Sequence, residues 1–441
     1  MRRFLALLLL AALLLTLPGA ACAEEAPFAL TLHVGTGSIL VRARLDSYDN
    51  NLYLSLSDLS AALSGTDRQF CFALTRTAQD GDIFTITTGQ PAAAPTAAVE
   101  GAARRVDTLY TFRNRLQLDG REQKYYTCRD GADLYMSLTD IQLLLDLTVE
   151  RSADGSLRLL PGQRFLPNMQ ELSFDGFFEA VNALLLADAE TGQVYYALGS
   201  GRSLPIASLS KLMVYLLLAE DINAGRFGLD DAVPISENAA ALSLLPDAQV
   251  ILEAGTALPF TELLDAMLLA SSNECALALA EYCEGSEAAF VERMNRRAAE
   301  LGLTSAVFYS VHGLPVYTAS AVPAKRQNSM SADDLFRLCA YLLKSYPALT
   351  ERTARQFAEL PSLDYITANS NPMVFNLPGV NGLKTGSTNR AGYCLAASLP
   401  LRTQEEHCLV AIVLGAETPA IRNQVAHILL RFGQDQLLKA G

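Results

Sequence analysis

Apolar positions follow two different periods along this chain, and the change of period divides it. Near the N-terminus one short pattern occurs twice. Leu52-Tyr53-Leu54-Ser55-Leu56-Ser57-Asp58-Leu59 returns as Leu134-Tyr135-Met136-Ser137-Leu138-Thr139-Asp140-Ile141. Each copy runs into a short apolar stretch, Ser60–Leu63 and Gln142–Leu145. Each is then followed by alternating polar strands around Asp80-Gly81 and Asp154-Gly155. Asp-Gly pairs suit tight hairpin turns, and Ser57 or Thr139 is placed to cap the following helix. One copy therefore predicts a strand–helix–hairpin unit.

Beyond residue 180 the runs lengthen. Val181–Ala187 and Gln193–Ala197 predict adjacent strands of a hairpin. Apolar residues from Ser208 to about Asn223 predict a helix. Phe260–Glu284 predicts another, capped by Thr261 and broken near Ser271-Ser272-Asn273. Glu287–Leu301 and Ser331–Ser345 read as amphipathic helices, and Gly392–Ser398 and Cys408–Leu414 as strands. The fold class expected is an α/β domain with an antiparallel sheet flanked by helices plus a helical subdomain, preceded by a small α+β repeat region.

The first residues form a different pattern. Arg2-Arg3, the apolar run Phe4–Leu17, the breakers Pro18-Gly19 and the small-residue site Ala21-Cys22-Ala23 read as a secretory signal, cleaved near Ala23. An uncleaved anchor, or lipidation of Cys22, are the alternatives. The expected domains are a signal peptide at 1–23, the repeat region at 24–165 and a second domain at 172–441. Gln90–Ala103, rich in Ala and Pro, reads as a connector between the copies, and 160–178 as a link to the second domain. The mature protein is expected outside the cytoplasm.

The chain has 441 residues, half of them hydrophobic, and a net charge of −13. That charge argues against a nucleic-acid partner. Removing Cys22 leaves seven of the eight cysteines, which is no disulfide framework. Five of them lie in apolar patterns and read as core residues, while Cys71 and Cys128 are free to pair. Four histidines without ligand spacing predict no metal and no cofactor. His312 reads as a loop-shaping residue rather than a catalyst.

The chemistry lies in three ordered strings: Ser208-Leu209-Ser210-Lys211, Ser271-Ser272-Asn273 and Lys384-Thr385-Gly386. A serine hydroxyl needs a neighbouring base to become a nucleophile. On a helix, residues three apart share a face, so Lys211 reaches Ser208. A free lysine titrates near ~10.4 and is no base at neutral pH. Burial and a second cation lower that value, and Lys384 is the expected second cation. Ser208, Lys211 and Ser271 are the expected catalytic residues, Ser271 passing a proton to the leaving amine. Asn273, Lys384, Thr385 and Gly386 are the expected substrate-binding residues, with Gly386 admitting the substrate close to the backbone. The N–H groups of Ser208 and Ser387 are the expected oxyanion donors.

These strings, in this order, are the set shared by penicillin-binding proteins and class A β-lactamases. With Leu185-Leu186-Ala187-Asp188, Met294-Asn295, His312-Gly313-Leu314 and Ala391-Gly392-Tyr393-Cys394, residues 180 to 435 resemble the serine D-alanyl-D-alanine carboxypeptidases, the low-molecular-mass penicillin-binding proteins of peptidase family S11. The resemblance implies a peptidoglycan stem peptide ending in D-Ala-D-Ala as substrate, an acyl-enzyme on Ser208, and β-lactams as covalent inhibitors. Ser387 stands where many relatives carry histidine. Ser310-Val311 replaces Asn-Pro, Asn381 replaces a common aspartate, and Val316–Asn328 is longer. Relatives with a C-terminal β domain and amphipathic anchor extend beyond the point where this sequence stops. The repeat region resembles the N-terminal module named after copper amine oxidases, which implies a cell-wall- or outer-membrane-facing module or a folded stalk. It is expected to add no catalytic group.

A D,D-endopeptidase on the same fold is the nearest alternative. A β-lactamase comes next, but no Glu-x-x-Leu-Asn string stands ready to place a deacylating water. An inactive wall-binding protein is the last.

Overall fold

A computed structural model describes residues 28–46, 51–77, 81–92, 106–107, 109, 111, 113–152, 154–174, 178–317 and 325–440. The signal segment, Cys22, most of the Ala/Pro connector and residues 318–324 of the longer segment lie outside the described residues. The flanks of that segment, Val316–Tyr317 and Lys325–Arg326, pair as antiparallel strands.

In the N-terminal domain the two related copies lie side by side. Strand β1 (Phe28–Val34) pairs with β2 (Gly37–Asp46), which pairs with β3 (Leu52–Ser55). Strand β3, from the first copy, pairs antiparallel with Asp133–Ser137, from the second. Each strand feeds a short helix: α1 (Leu56–Ala62) and α2 (Leu138–Leu145). Apolar side chains of both copies, among them Leu54, Leu59, Leu134 and Ile141, fill one core. The copies diverge in their hairpins. Thr148–Arg151 and Leu157–Leu160 close against β1, whereas Phe70–Thr77 and Gly81–Thr88 join a separate four-stranded sheet.

The helix caps differ from expectation. Ser55 and Ser137, not Ser57 and Thr139, accept hydrogen bonds from Asp58 N and Asp140 N, each 3.1 Å. Each helix begins two residues earlier than the expected cap implies, so Ser57 falls inside the first turn and donates to Asp133 instead. Cys71 and Cys128 form no disulfide with each other and sit on strands of different sheets.

The second domain is built on an antiparallel five-stranded sheet. Its order runs Val194–Leu198, Ala183–Asp188, Glu406–Ala416, Gly392–Arg402 and Gly382–Thr388. The strand Ala183–Asp188 is buried along its whole length because helices cover both faces. Ala183 and Leu185 point into the core of the helical subdomain, and Leu184 and Leu186 toward the helix Pro419–Ala440. That explains its continuous apolar run.

The helical side holds Lys211–Asn223, Asn273–Glu284, Glu287–Glu300 and Ala332–Ser345. The long helical stretch before Glu284 is three pieces: a helix Phe260–Asp265, a π-turn Ala266–Ala270 and the helix from Asn273. Its first piece follows Pro259 with no side-chain cap. Thr261 instead accepts from the Arg352 guanidinium at 3.1 Å.

The repeat region is no free stalk. Leu143 of α2 packs in the same core as Met373, Phe375, Val425 and Leu429 of the second domain. Gln424 donates to Ser137 Oγ at 3.0 Å and Asp140 Oδ2 at 3.1 Å, and Arg431 pairs with Asp146.

Candidate active site

Ser208 sits in a single 3-10 turn, Ala207–Ser210, that leads into the helix of Lys211. That turn is wedged between two backbones. A Cβ on Gly386 would lie 2.9 Å from the N of Ser208, and one on Gly313 would lie 2.1 Å from the carbonyl of Ala207. Glycine at 386 thus lets the Lys384 strand touch the turn of Ser208. The close approach expected of a substrate there is made by the protein's own backbone.

Lys211 is fully buried, and its Nζ donates to Ser208 Oγ at 2.9 Å, Asn273 Oδ1 at 2.7 Å and the His312 carbonyl at 3.1 Å. Three acceptors fix the amine beside the hydroxyl. Burial pushes its pKa down to about 7, against the opposing charge of Glu274. Burial thus makes this lysine a base near neutral pH.

Lys384 lies deeper than the residues that line the cleft. It is 1% exposed, donates to the carbonyl of Thr385 at 3.1 Å, and lies behind the cleft wall. Burial first, then the charges of Lys211 and Arg422, push its pKa well below that of an ordinary lysine. The wall itself is Thr385, Gly386, Ser387 and Thr388. Ser271 faces the same cleft from the break after the π-turn, where its φ of 69° places it in the left-handed region. Such a non-glycine conformation costs of order 1 kcal/mol or more and is held by its surroundings. Here Ser272 N donates to Ala266 O at 3.1 Å, and Ser272 Oγ caps the next helix at Cys275 N.

The structure therefore gathers Ser208, Ser271 and Asn273 with the Thr385–Ser387 edge around one cleft of about 690 Å³, and Lys211 lies behind Ser208 and Asn273, bonded to both. It also brings in residues that the motifs do not reveal. Ser370 shares a 2.8 Å hydrogen bond with Thr385 Oγ1. Asn328, fully buried, donates to Ser210 Oγ at 2.8 Å and accepts from the N–H groups of Tyr309 and Ser310. His312 shapes its loop through Nδ1, which accepts from Leu314 N at 3.0 Å. Burial holds the ring neutral, with a pKa of about 3.

Tyr393 and Arg422 line the cleft beyond Thr388, and Arg113 and Tyr126 close that end from the N-terminal domain. The N-terminal domain, expected to add no catalytic group, thus contributes to the lining of the cleft. No short motif marks these residues, because their approach depends on how two domains dock. Among the described residues, no cluster of His, Cys, Asp and Glu is arranged to hold a metal, and no helix is long and apolar enough to cross a membrane.

A profile of the D-alanyl-D-alanine carboxypeptidase family, peptidase S11, matches residues 178–418. D-alanyl-D-alanine carboxypeptidase DacF of Bacillus subtilis (strain 168) is 34% identical over 261 residues, 58% of this chain and 63% of that protein. The chain thus spans under two thirds of the length of this curated relative. Among solved structures, penicillin binding protein 6B from Escherichia coli matches with a TM-score of 0.51 and 29% identity, over 58% of this chain and 77% of that one. Penicillin-binding protein D2 from Listeria monocytogenes, in its ampicillin-bound form, matches with a TM-score of 0.50 and 27% identity, over 58% and 98% of the two chains.

Proposed function

The chain belongs to the D-alanyl-D-alanine carboxypeptidase family, peptidase S11, and from that premise we propose that it removes the terminal D-alanine from peptidoglycan stem peptides through an acyl-enzyme on Ser208. The observation that carries this reading is the buried Lys211 amine, 2.9 Å from Ser208 Oγ, with a pKa of about 7. Above that pH it is neutral and accepts the Ser208 proton as Oγ attacks the carbonyl carbon of the penultimate D-alanine. The oxyanion that forms is stabilised by the N–H groups of Ser208 and Ser387.

When the C–N bond breaks, the proton passes by way of Ser271 to the leaving D-alanine amine. A water then donates its proton to Lys211 and attacks the ester. The shortened peptide leaves, and Ser208 regains its hydrogen. Asn273 orients Lys211 and the substrate backbone. Thr385, with Ser370 behind it, offers its hydroxyl to the substrate. Lys384 acts from behind the wall through its charge when an anion enters. β-Lactams acylate the same serine, and their adduct persists because the acyl group stays in the site and blocks the approach of water. The site works outside the cytoplasm, residues 1–23 having been removed.

A defined stem pentapeptide, incubated with the protein and weighed by mass spectrometry, tests this. The expected products are the tetrapeptide and free D-alanine. A fluorescent penicillin adduct maps to Ser208 after digestion. An adduct on another residue, or rapid penicillin hydrolysis with no D-alanine release, overturns the reading. Cleavage of cross-linked dimers without release of terminal D-alanine would make the protein an endopeptidase.

A further inference from the structure

At the far end of the cleft, past Thr388, two guanidinium groups meet. Arg422 stands in the first turn of the 22-residue helix Pro419–Ala440 and is only 4% exposed. Its Nε and Nη2 both donate to Asn423 Oδ1, at 3.0 and 2.9 Å. Arg113 belongs to the other domain, and its guanidinium lies 5.2 Å above the ring of Tyr126. Glu417 and Asp247 line the same cleft. Yet among the described residues neither arginine forms an ion pair with a carboxylate. Burial, and the like charge of Arg113, hold the Arg422 pKa down to about 10, so it still carries its proton at neutral pH. Burying a cation without a counter-ion is costly. The buried Arg422 at a helix N-terminus, with the exposed Arg113 lining the same cleft, forms a site for an anion from outside the protein.

The N-terminal half of this site is held in place rather than merely nearby. Lys124 N donates to Asn376 Oδ1 at 2.7 Å, and Asn376 Nδ2 donates back to Lys124 O at 3.2 Å. The Lys124 amine lies 4.8 Å from the centre of the Phe375 ring, and the next residue, Tyr125, is buried. Tyr126 is therefore fixed at the cleft mouth. Asn114 Nδ2 donates to Thr127 Oγ1 at 2.8 Å, which ties the segment of Arg113 beside that of Tyr126. The anchoring helix Met373–Asn376 follows directly on Ser370 and Asn371, which bond to Thr385 Oγ1 and to the carbonyl of Gly382. One short segment thus holds both the Thr385 strand and the N-terminal domain.

We infer that the N-terminal domain completes the substrate cleft: Arg113, braced on Tyr126, joins Arg422 in binding the free carboxylate at the end of the substrate. This deepens the proposed function and rests on it for the identity of that substrate. The repeat region is then a specificity element of the enzyme rather than a spacer.

The test uses the full-length chain and the Arg113→Ala, Arg113→Lys and Tyr126→Ala variants. Arg113 is exposed, so its replacement leaves the core untouched. Two peptides are compared, one ending in D-Ala-D-Ala as the free acid and one as the C-terminal amide. Arg113→Ala should lower kcat/KM for the acid about tenfold, mostly through KM, and leave the amide unchanged. Arg113→Lys should recover part of the loss, and Tyr126→Ala should act in the same direction. Acylation of Ser208 by a penicillin and by its methyl ester is measured in parallel. The variant should slow the acid and spare the ester, a readout that stands even if no peptide is turned over, which would count against the proposed function alone. Equal effects on acid and neutral forms, or no effect on either, overturn the inference.

Discussion

Two clusters, one in each domain, hold charge in opposite ways. In the N-terminal domain the Arg42 guanidinium meets Asp58 at 2.8 Å and Asp133 at 3.0 Å, and Ser55 and Ser57 hydroxyls complete the cluster. The Asp58 hydrogen bond, more than any other contact, raises the Arg42 pKa above its ordinary value, against burial. In the second domain Lys211, Lys384 and Arg422 lie buried around one cleft, and among the described residues none forms an ion pair with a carboxylate. All three have pKa values pushed down, burial being the first cause in each. Paired charge joins the two repeat copies, since Arg42 and Asp58 belong to the first and Asp133 to the second. Unpaired charge is held at a cost to stability, and a site that must bind an anion or accept a proton requires it. The contrast separates the cluster that builds the fold from the cluster that acts.

Substitutions can break this contrast from either side. The largest effect is expected at Lys211. Lys211→Met keeps the stem and removes the amine, so Ser208 acylation by fluorescent penicillin should fall by about 10²–10⁴-fold, the usual general-base contribution. The melting temperature should hold or rise, because an uncompensated buried cation is gone. A large fall in melting temperature would mean that Lys211 is structural, like Arg42.

The pH profile comes next. Lys211 acts when neutral, and its pKa is about 7. Acylation should therefore level off above that value and fall about tenfold for each pH unit below it. A flat profile between pH 5 and 8 would place the base elsewhere.

Asp58→Ala addresses the other region. It strands Arg42 beside Asp133 alone and should cost about 2–3 kcal/mol in denaturant unfolding. That is less than the ~3–5 for breaking a fully buried pair, since the Arg42 side chain keeps 26% exposure. Ser208 acylation in the folded fraction should stay within about twofold. The smallest effect is expected at Ser370→Ala, which takes one hydrogen bond from Thr385 Oγ1. About 0.5–1.5 kcal/mol is the usual worth of such a bond, so KM for the D-Ala-D-Ala peptide should rise severalfold with acylation chemistry intact.

Much of this site was legible in the sequence because its parts depend on local spacing. Ser208 and Lys211 share a helical face wherever the helix lies, and the observed helix Lys211–Asn223 ends where the apolar run does. Ser271-Ser272-Asn273 interrupts a helical pattern and is observed as its break. The strands Gly392–Arg402 and Glu406–Ala416 extend the expected ones into a longer hairpin. Cap positions were misplaced by two residues at Ser57 and Thr139, because alternation does not show where a strand yields to a helix. A second constraint on Gly386 is hidden from local pattern for a related reason. Its missing side chain makes room for Ser208 N, a neighbour 178 positions away in the chain.

What the sequence alone determined is what is set within one turn of helix or one strand: a serine with its lysine, a strand edge with its threonine, and two copies of one small unit. What only the tertiary structure decided is the electrical state of those groups and the shape around them. A pKa depends on how much water and which charges surround a group, and the burial of Lys211 and Lys384 comes from packing between distant segments. The placement of Arg113 beside Arg422, 309 positions on, follows from domain docking through Lys124 and Asn376. No local period along the chain can encode that meeting, because it is set by surfaces that exist only once both domains have folded.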